Sequence, residues 1–265
     1  MAARSTLHTL LFTLVCMVAG IAGAATRQSV HVLFVGNSLT YVGNLPAVLE
    51  ALAADNGKPL QADMLVKGGA TLTQWLESGA VQRALRARRY DYVVLQERGN
   101  DFACGFGPQV CKDSRHALHA LAKIVHDRGA RPVLMGTYQV SDAASKALVA
   151  AESKAARAEA MAYLAVSPRL NMGRERAPYD DWFAKAGHPG HDLVLVEAVL
   201  LYQQLYGAPP QAKALAVRAQ MFVPGSKFAT PSPVSEPLRP DIALAGGYDY
   251  SRDEMTLAIQ LTGDR

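Results

Sequence analysis

The chain has 265 residues, half of them apolar and 19% charged, with a formal net charge of +4. That length and balance suit one α/β domain with a removable leader and exclude an intrinsically disordered chain. The charge is spread thinly, and its one cluster, Arg83, Arg86, Arg88 and Arg89, reads as a solvated helix end, so no nucleic-acid partner is expected.

The first 24 residues put Arg4 ahead of an apolar run over 10–22 and end in Ala22, Gly23 and Ala24, the order of a secretory signal. The run is shorter than the roughly 20 residues a spanning helix needs, and no later segment is a candidate, so no integral membrane segment is expected after cleavage. The expected location is secreted or periplasmic. Cleavage near Ala25 removes Cys16 and leaves Cys104 and Cys111, an even pair that an oxidising compartment invites into a disulfide across the short CGFGPQVC loop.

From residue 30 onward, short β-rich runs alternate with helical patterns, the sign of a parallel sheet wrapped by helices. Residues 30–35 (VHVLFV) read as a strand covered on both faces. Asn44 caps a helix with Pro46 in its first turn and Asn56-Gly57 as its stop. A second strand near 64–66 leads through Gly68-Gly69 to a helix with Leu72, Trp75 and Leu76 on one side. A third strand spans 91–96, a helix 113–128, a fourth strand 132–135, an Ala-rich helix 143–162 and a weak fifth strand 163–166. A last helix covers 192–205 and stops at Gly207. Beyond Pro209, Pro231, Pro233, Pro237 and Pro240 mark a loose connection before an alternating stretch at 255–261. For that tail an extra strand and partial disorder are both open.

Ser38 follows the first strand directly, and ligands collect at the carboxyl ends of parallel strands. Its surroundings, FVGNSLTYVGNLP, resemble the first motif block of the SGNH/GDSL hydrolase family, where the serine of a G-[DN]-S-L run is the nucleophile. Later segments resemble the family's other blocks in the right order. Lys67-Gly68-Gly69-Ala70-Thr71-Leu72 is similar to the second block, which matches Gly69 to an oxyanion-binding amide. The run YDYVVLQE over 90–97 resembles the third strand of a subgroup in which VVLQE ends the strand, and Gly99-Asn100-Asp101 is a compressed G-x-N-D. Gln96 and Asn100 thus compete as side-chain oxyanion donors beside the Ser38 and Gly69 amides, with Asn100 preferred. Gly187-His188-Pro189 is similar to the D-x-x-H-P segment that supplies the base.

The resemblance covers about residues 30–207. It implies a three-layer α/β/α sandwich with a mainly parallel five-stranded sheet over 25–207, and an extension over 208–265 of no assigned role. It implies a metal-free and cofactor-free acyl transfer in which Ser38 attacks an ester, O-acetyl groups on carbohydrate being the first expectation, and His188 acts as base. The sequence departs from the family where the triad acid belongs, since Lys185 stands three residues before His188. Either Asp180 or Asp181 reaches the ring, which is the preferred expectation, or a backbone carbonyl orients it as a Ser-His dyad. His191 is a poorer base, and Asp192 is expected to cap the last helix. A degenerate scaffold that binds a glycan, or an acyltransferase, is the alternative. His116 and His119 read as a solvated stripe rather than metal ligands, Gly105-Phe106-Gly107 as no cofactor loop, and oligomeric state stays open.

Overall fold

The computed structural model of the chain describes residues 29–178, 180–226 and 246–263, so the leader expected over 1–24 lies outside the described residues. Strand β1 (Val30–Gly36) is central, and Val32, Leu33, Phe34 and Val35 are at most 1% exposed because both faces of the sheet are covered. The single-turn helix α1 (Ser38–Tyr41) and then α2 (Leu45–Asp55) follow, the latter capped by Asn44, whose side chain accepts from the Ala47 amide. Next come β2 (Leu60–Val66), α3 (Leu72–Ser78), α4 (Ala80–Ala87), β3 (Tyr92–Gln96), α5 (Pro108–His126), β4 (Arg131–Met135), α6 (Asp142–Ala158), β5 (Ala162–Leu164) and α7 (Val166–Arg176). A small hairpin of β6 (Phe183–Ala184) and β7 (His188–Pro189) leads into α8 (His191–Tyr206), and the chain continues with β8 (Leu215–Val217), β9 (Tyr248–Tyr250) and α9 (Arg252–Gly263).

The main sheet has the order β2-β1-β3-β4-β5 with every pairing parallel. Alternation along β1 divides the core: Val32 and Phe34 face α2 and α8, whereas Leu33 and Val35 face α3, α4 and α5. The result is the expected three-layer sandwich.

Several local expectations are corrected. Helix α5 starts at Pro108, five residues early, because proline suits a first helical turn; Cys111, joined to Cys104 by a disulfide, therefore lies in a helix. Helix α7 had no apolar stripe to announce it. It buries Val166, Leu170 and Gly173, and a Cβ at Gly173 would lie 2.3 Å from the Trp182 ring. Arg88 leaves the solvated cluster, its guanidinium bonding the buried Asp63 at 2.6 Å. The alternating stretch near the end is helical: Met255, Ala258, Leu261 and Thr262 are the buried positions of α9, a spacing of three and four. Leu215, Val217, Tyr250, Met255 and Leu261 join the core around α2 and α8, so the described part of the tail packs as a two-stranded ribbon and a helix.

Candidate active site

Three consecutive residues build the nucleophile loop. Gly36 is needed at the end of β1, because a Cβ there would lie 2.2 Å from the Thr40 hydroxyl. Asn37, fully buried, caps α1 by accepting from the Leu39 amide at 3.0 Å, and its Nδ2 donates to the Ala70 carbonyl at 3.0 Å. Ser38 is left half-buried at the first position of α1. Asn37 thereby ties the loop after β1 to the loop after β2, and Trp75 of α3 adds a second tie by donating to the Gly36 carbonyl at 2.9 Å.

The second loop turns at Gly69, whose φ of 68° is the left-handed region that glycine enters freely. Gly69 is exposed, and among the described residues its N–H donates to no protein group. Thr71 opens α3 with a capping box to Gln74.

The two oxyanion candidates are separated clearly. Gln96, at the end of β3 and 2% exposed, accepts from the Thr40 hydroxyl at 2.5 Å, while its Nε2 has no partner among the described residues. Asn100 has a φ of 71° and turns its amide onto the disulfide loop, where a Cβ at Gly105 would lie 2.0 Å from Nδ2; its carbonyl accepts from the Gly105 amide. Gln96 therefore places an amide donor next to α1, whereas Asn100 lies against the disulfide loop.

Glu97, read in the sequence only as part of the VVLQE run, is fully buried behind the second loop. Its carboxylate accepts from the Leu72 amide at 3.2 Å and the Arg98 amide at 2.8 Å. Asp101, also fully buried, takes the Arg98 guanidinium at 3.0 Å and lies beside Glu97. Burial, with a smaller push from Asp101, raises the Glu97 carboxyl to about 7. Because the folded value lies above the ordinary 4.5, Glu97 contributes stability that is fully present at low pH and is lost as pH rises toward about 7. Glu152, raised to about 7, and Asp192, raised to about 6, act in the same direction. The expected result is an unfolding midpoint that falls as pH rises through that window, with Glu97→Gln removing up to about 1.4 kcal/mol per pH unit of the slope. Thermal unfolding measured across pH checks it; an identical slope in the variant would refute it.

The base hairpin is set from below. Ala186 and Gly187 both take left-handed φ values of 59° and 72°, which turns the chain so that Ala184 pairs with His188. Tyr138 donates to the Gly187 carbonyl at 2.8 Å. His188, half-buried, has its Nδ1 2.9 Å from the Lys185 carbonyl. A carbonyl only accepts, so Nδ1 carries a proton, and the neutral tautomer that this bond selects has its lone pair on Nε2.

Among the described residues neither Asp180 nor Asp181 bonds to the His188 ring. Asp181 accepts from the His191 amide at 3.2 Å, and its own amide donates to Asp192 at 2.6 Å. The expected cap on α8 is therefore reversed: Asp181 holds the first turn, and Asp192 reaches back to Asp181. Asp180 is exposed and tied through its backbone to Ala177 and Trp182. His191 is stacked on Tyr248 and its imidazole is depressed by burial. The exposed His119 pairs with Glu159, as a solvated stripe does.

Helix α1 and strand β7 come within 8 Å, Cα to Cα, at the carboxyl edge of the sheet. Among the described residues no hydrogen bond joins Ser38 to His188, and no group of three or more His, Cys, Asp or Glu could hold a metal ion.

No protein-family model and no curated protein sequence matches the chain. Solved structures do. A candidate SGNH hydrolase from Slackia heliotrinireducens is 23% identical over 67% of this chain and 100% of its own, with a TM-score of 0.56. A catalytic mutant of Axe2, an acetylxylan esterase from Geobacillus stearothermophilus, is 14% identical over 68% of this chain and 96% of its own, with a TM-score of 0.54. A candidate GDSL-like lipase from Parabacteroides merdae is 16% identical over 68% and 97%, with a TM-score of 0.53. The chain thus has the fold of the SGNH hydrolases, and about a third of it has no counterpart in these structures.

Proposed function

We propose that the chain is an SGNH/GDSL-type serine hydrolase that cleaves a carboxylic ester through a Ser38-His188 dyad. The observation that carries this reading is the bond between His188 Nδ1 and the Lys185 carbonyl, which makes Nε2 the basic nitrogen of the neutral ring, on a hairpin beside the serine loop. Nε2 takes the proton as Ser38 Oγ attacks the ester carbonyl, and returns it to the departing alcohol. A water activated by the same imidazole then clears the acyl-enzyme. The Ser38 and Gly69 amides and Gln96 Nε2 bind the oxyanion, since the Gly69 and Gln96 donors have no partner among the described residues to surrender.

The Lys185 carbonyl occupies the role that a carboxylate fills in a triad. It fixes the tautomer and the ring plane but lends less charge to the imidazolium. Asp180→Asn and Asp181→Asn are accordingly expected to keep turnover within about 3-fold of wild type in steady-state assays, as substitutions of groups outside the reacting set do. A fall of about 10²-fold or more in either would restore the displaced-acid reading.

The substrate we propose is an acetylated carbohydrate, met outside the cytoplasm. The leader-like residues 1–24, the Cys104–Cys111 disulfide and the fold shared with an acetylxylan esterase support it. A glycan-binding or acyltransferase role is favoured by one observation, the absence of a carboxylate at His188 among the described residues. Acetate release from acetylated xylan, with water as acceptor, separates these: binding without release supports the first, and acetyl transfer to a sugar the second.

A further inference from the structure

Ser38 and His188 share no hydrogen bond, so the spacing between them depends on whatever holds each loop. The C-terminal extension touches the segment that follows the serine and the first residue of α8, just past the histidine hairpin. On the nucleophile side, residues 42–44 follow α1 directly. Gly43 donates to the Phe222 carbonyl at 2.9 Å, Asn44 Nδ2 donates to the Gln220 carbonyl at 2.8 Å, and Val42 forms a parallel bridge with Phe222. On the base side, the Tyr248 ring lies flat on the His191 imidazole, with centroids 3.7 Å apart and planes 12° from parallel, while Tyr250 meets it edge-on at 6.5 Å. His191 opens α8 three residues after His188, and its amide is the one that Asp181 accepts from. The two contacts are mechanically joined, because Val217 pairs with Tyr248 in the β8–β9 ribbon and lies three residues before Gln220.

We infer that the extension is a brace that keeps the nucleophile loop and the base hairpin in register, with Tyr248 as its positioning residue on the base side. The inference rests on the Ser38-His188 reading for its catalytic consequence, but not for its mechanical one. Tyr248 contacts no reacting atom; it fixes the start of α8 and, through Asp181 and the hairpin, the azimuth of the His188 ring. A displacement of about 1 Å in such a pair costs about 10²-fold in rate.

The test uses the full chain. Tyr248→Ala is expected to lower kcat on a short-chain nitrophenyl ester by about 10-fold or more while KM moves less than about 3-fold, and Tyr248→Phe, which keeps the ring, to stay near wild type. In hydrogen exchange, Tyr248→Ala is expected to speed exchange over 181–191 and to leave β1, β3 and β4 protected. If the alanine variant does not fold, Tyr248→Leu, which keeps bulk without a flat face, is read the same way. Wild-type kcat together with unaltered exchange over 181–191 would overturn the brace, as would a kcat loss equal to the unfolded fraction. If the wild type hydrolyses no ester, the hydrolase reading falls, while the exchange measurement still decides the brace.

Discussion

Ser38→Ala is expected to abolish ester hydrolysis, lowering kcat on a short-chain nitrophenyl ester by about 10³-fold or more, with the fold and the unfolding midpoint kept. The size follows from the chemistry. Without Oγ there is no acyl-enzyme, and only the oxyanion donors remain to favour attack by water. The structural cost is small because Ser38 is half-buried and its cap interactions run through Asn37 and the backbone. A fluorophosphonate probe gives a second reading of the same residue: it should label the wild type at Ser38 and leave the alanine variant unlabelled. Equal hydrolysis by both proteins would end the enzyme reading.

Gln96→Ala should cost about 10²- to 10³-fold in kcat with little change in KM, the penalty typical for losing one oxyanion donor. Asn100→Ala should cost far less in kcat and act through the stability of the disulfide loop. The contrast arises because Gln96 Nε2 is a buried donor without a partner, and such a group is expensive unless something fills it; a developing oxyanion would. Gln96→Glu keeps the bond from Thr40 but replaces the donor with an acceptor of negative charge, so it should be at least as damaging. Steady-state kinetics on the three variants check this. A larger kcat loss for Asn100→Ala than for Gln96→Ala would move the oxyanion role back to the compressed G-x-N-D.

The sheet and its helices were legible because they rest on local periodicity. The run at 30–35 can be satisfied only by burial on both faces, and Asn44, Pro46 and Asn56-Gly57 mark a helix from start to stop. Helix α7 was not legible, since its buried stripe includes a glycine whose role appears only when Trp182 packs on it. The tail misled because Met255, Leu257, Ile259 and Leu261 alternate, while burial selects a different set.

At the site, the sequence by itself determined which residue types stand at the element ends: a serine after β1, a glycine turn after β2, an amide at the end of β3 and a histidine before α8. Those positions depend on neighbours in the chain, so order and spacing were enough. Which buried donor is unclaimed, what holds His188 Nδ1, and what the extension touches were decided only by the tertiary structure. Thr40 takes the Gln96 oxygen and no described group takes its nitrogen, the Asp181 carboxylate accepts from the first turn of α8, and Tyr248 reaches His191 from 57 positions away. A hydrogen-bonding group can be spent on any partner that folding brings within about 3 Å, and that competition is settled in space rather than along the chain.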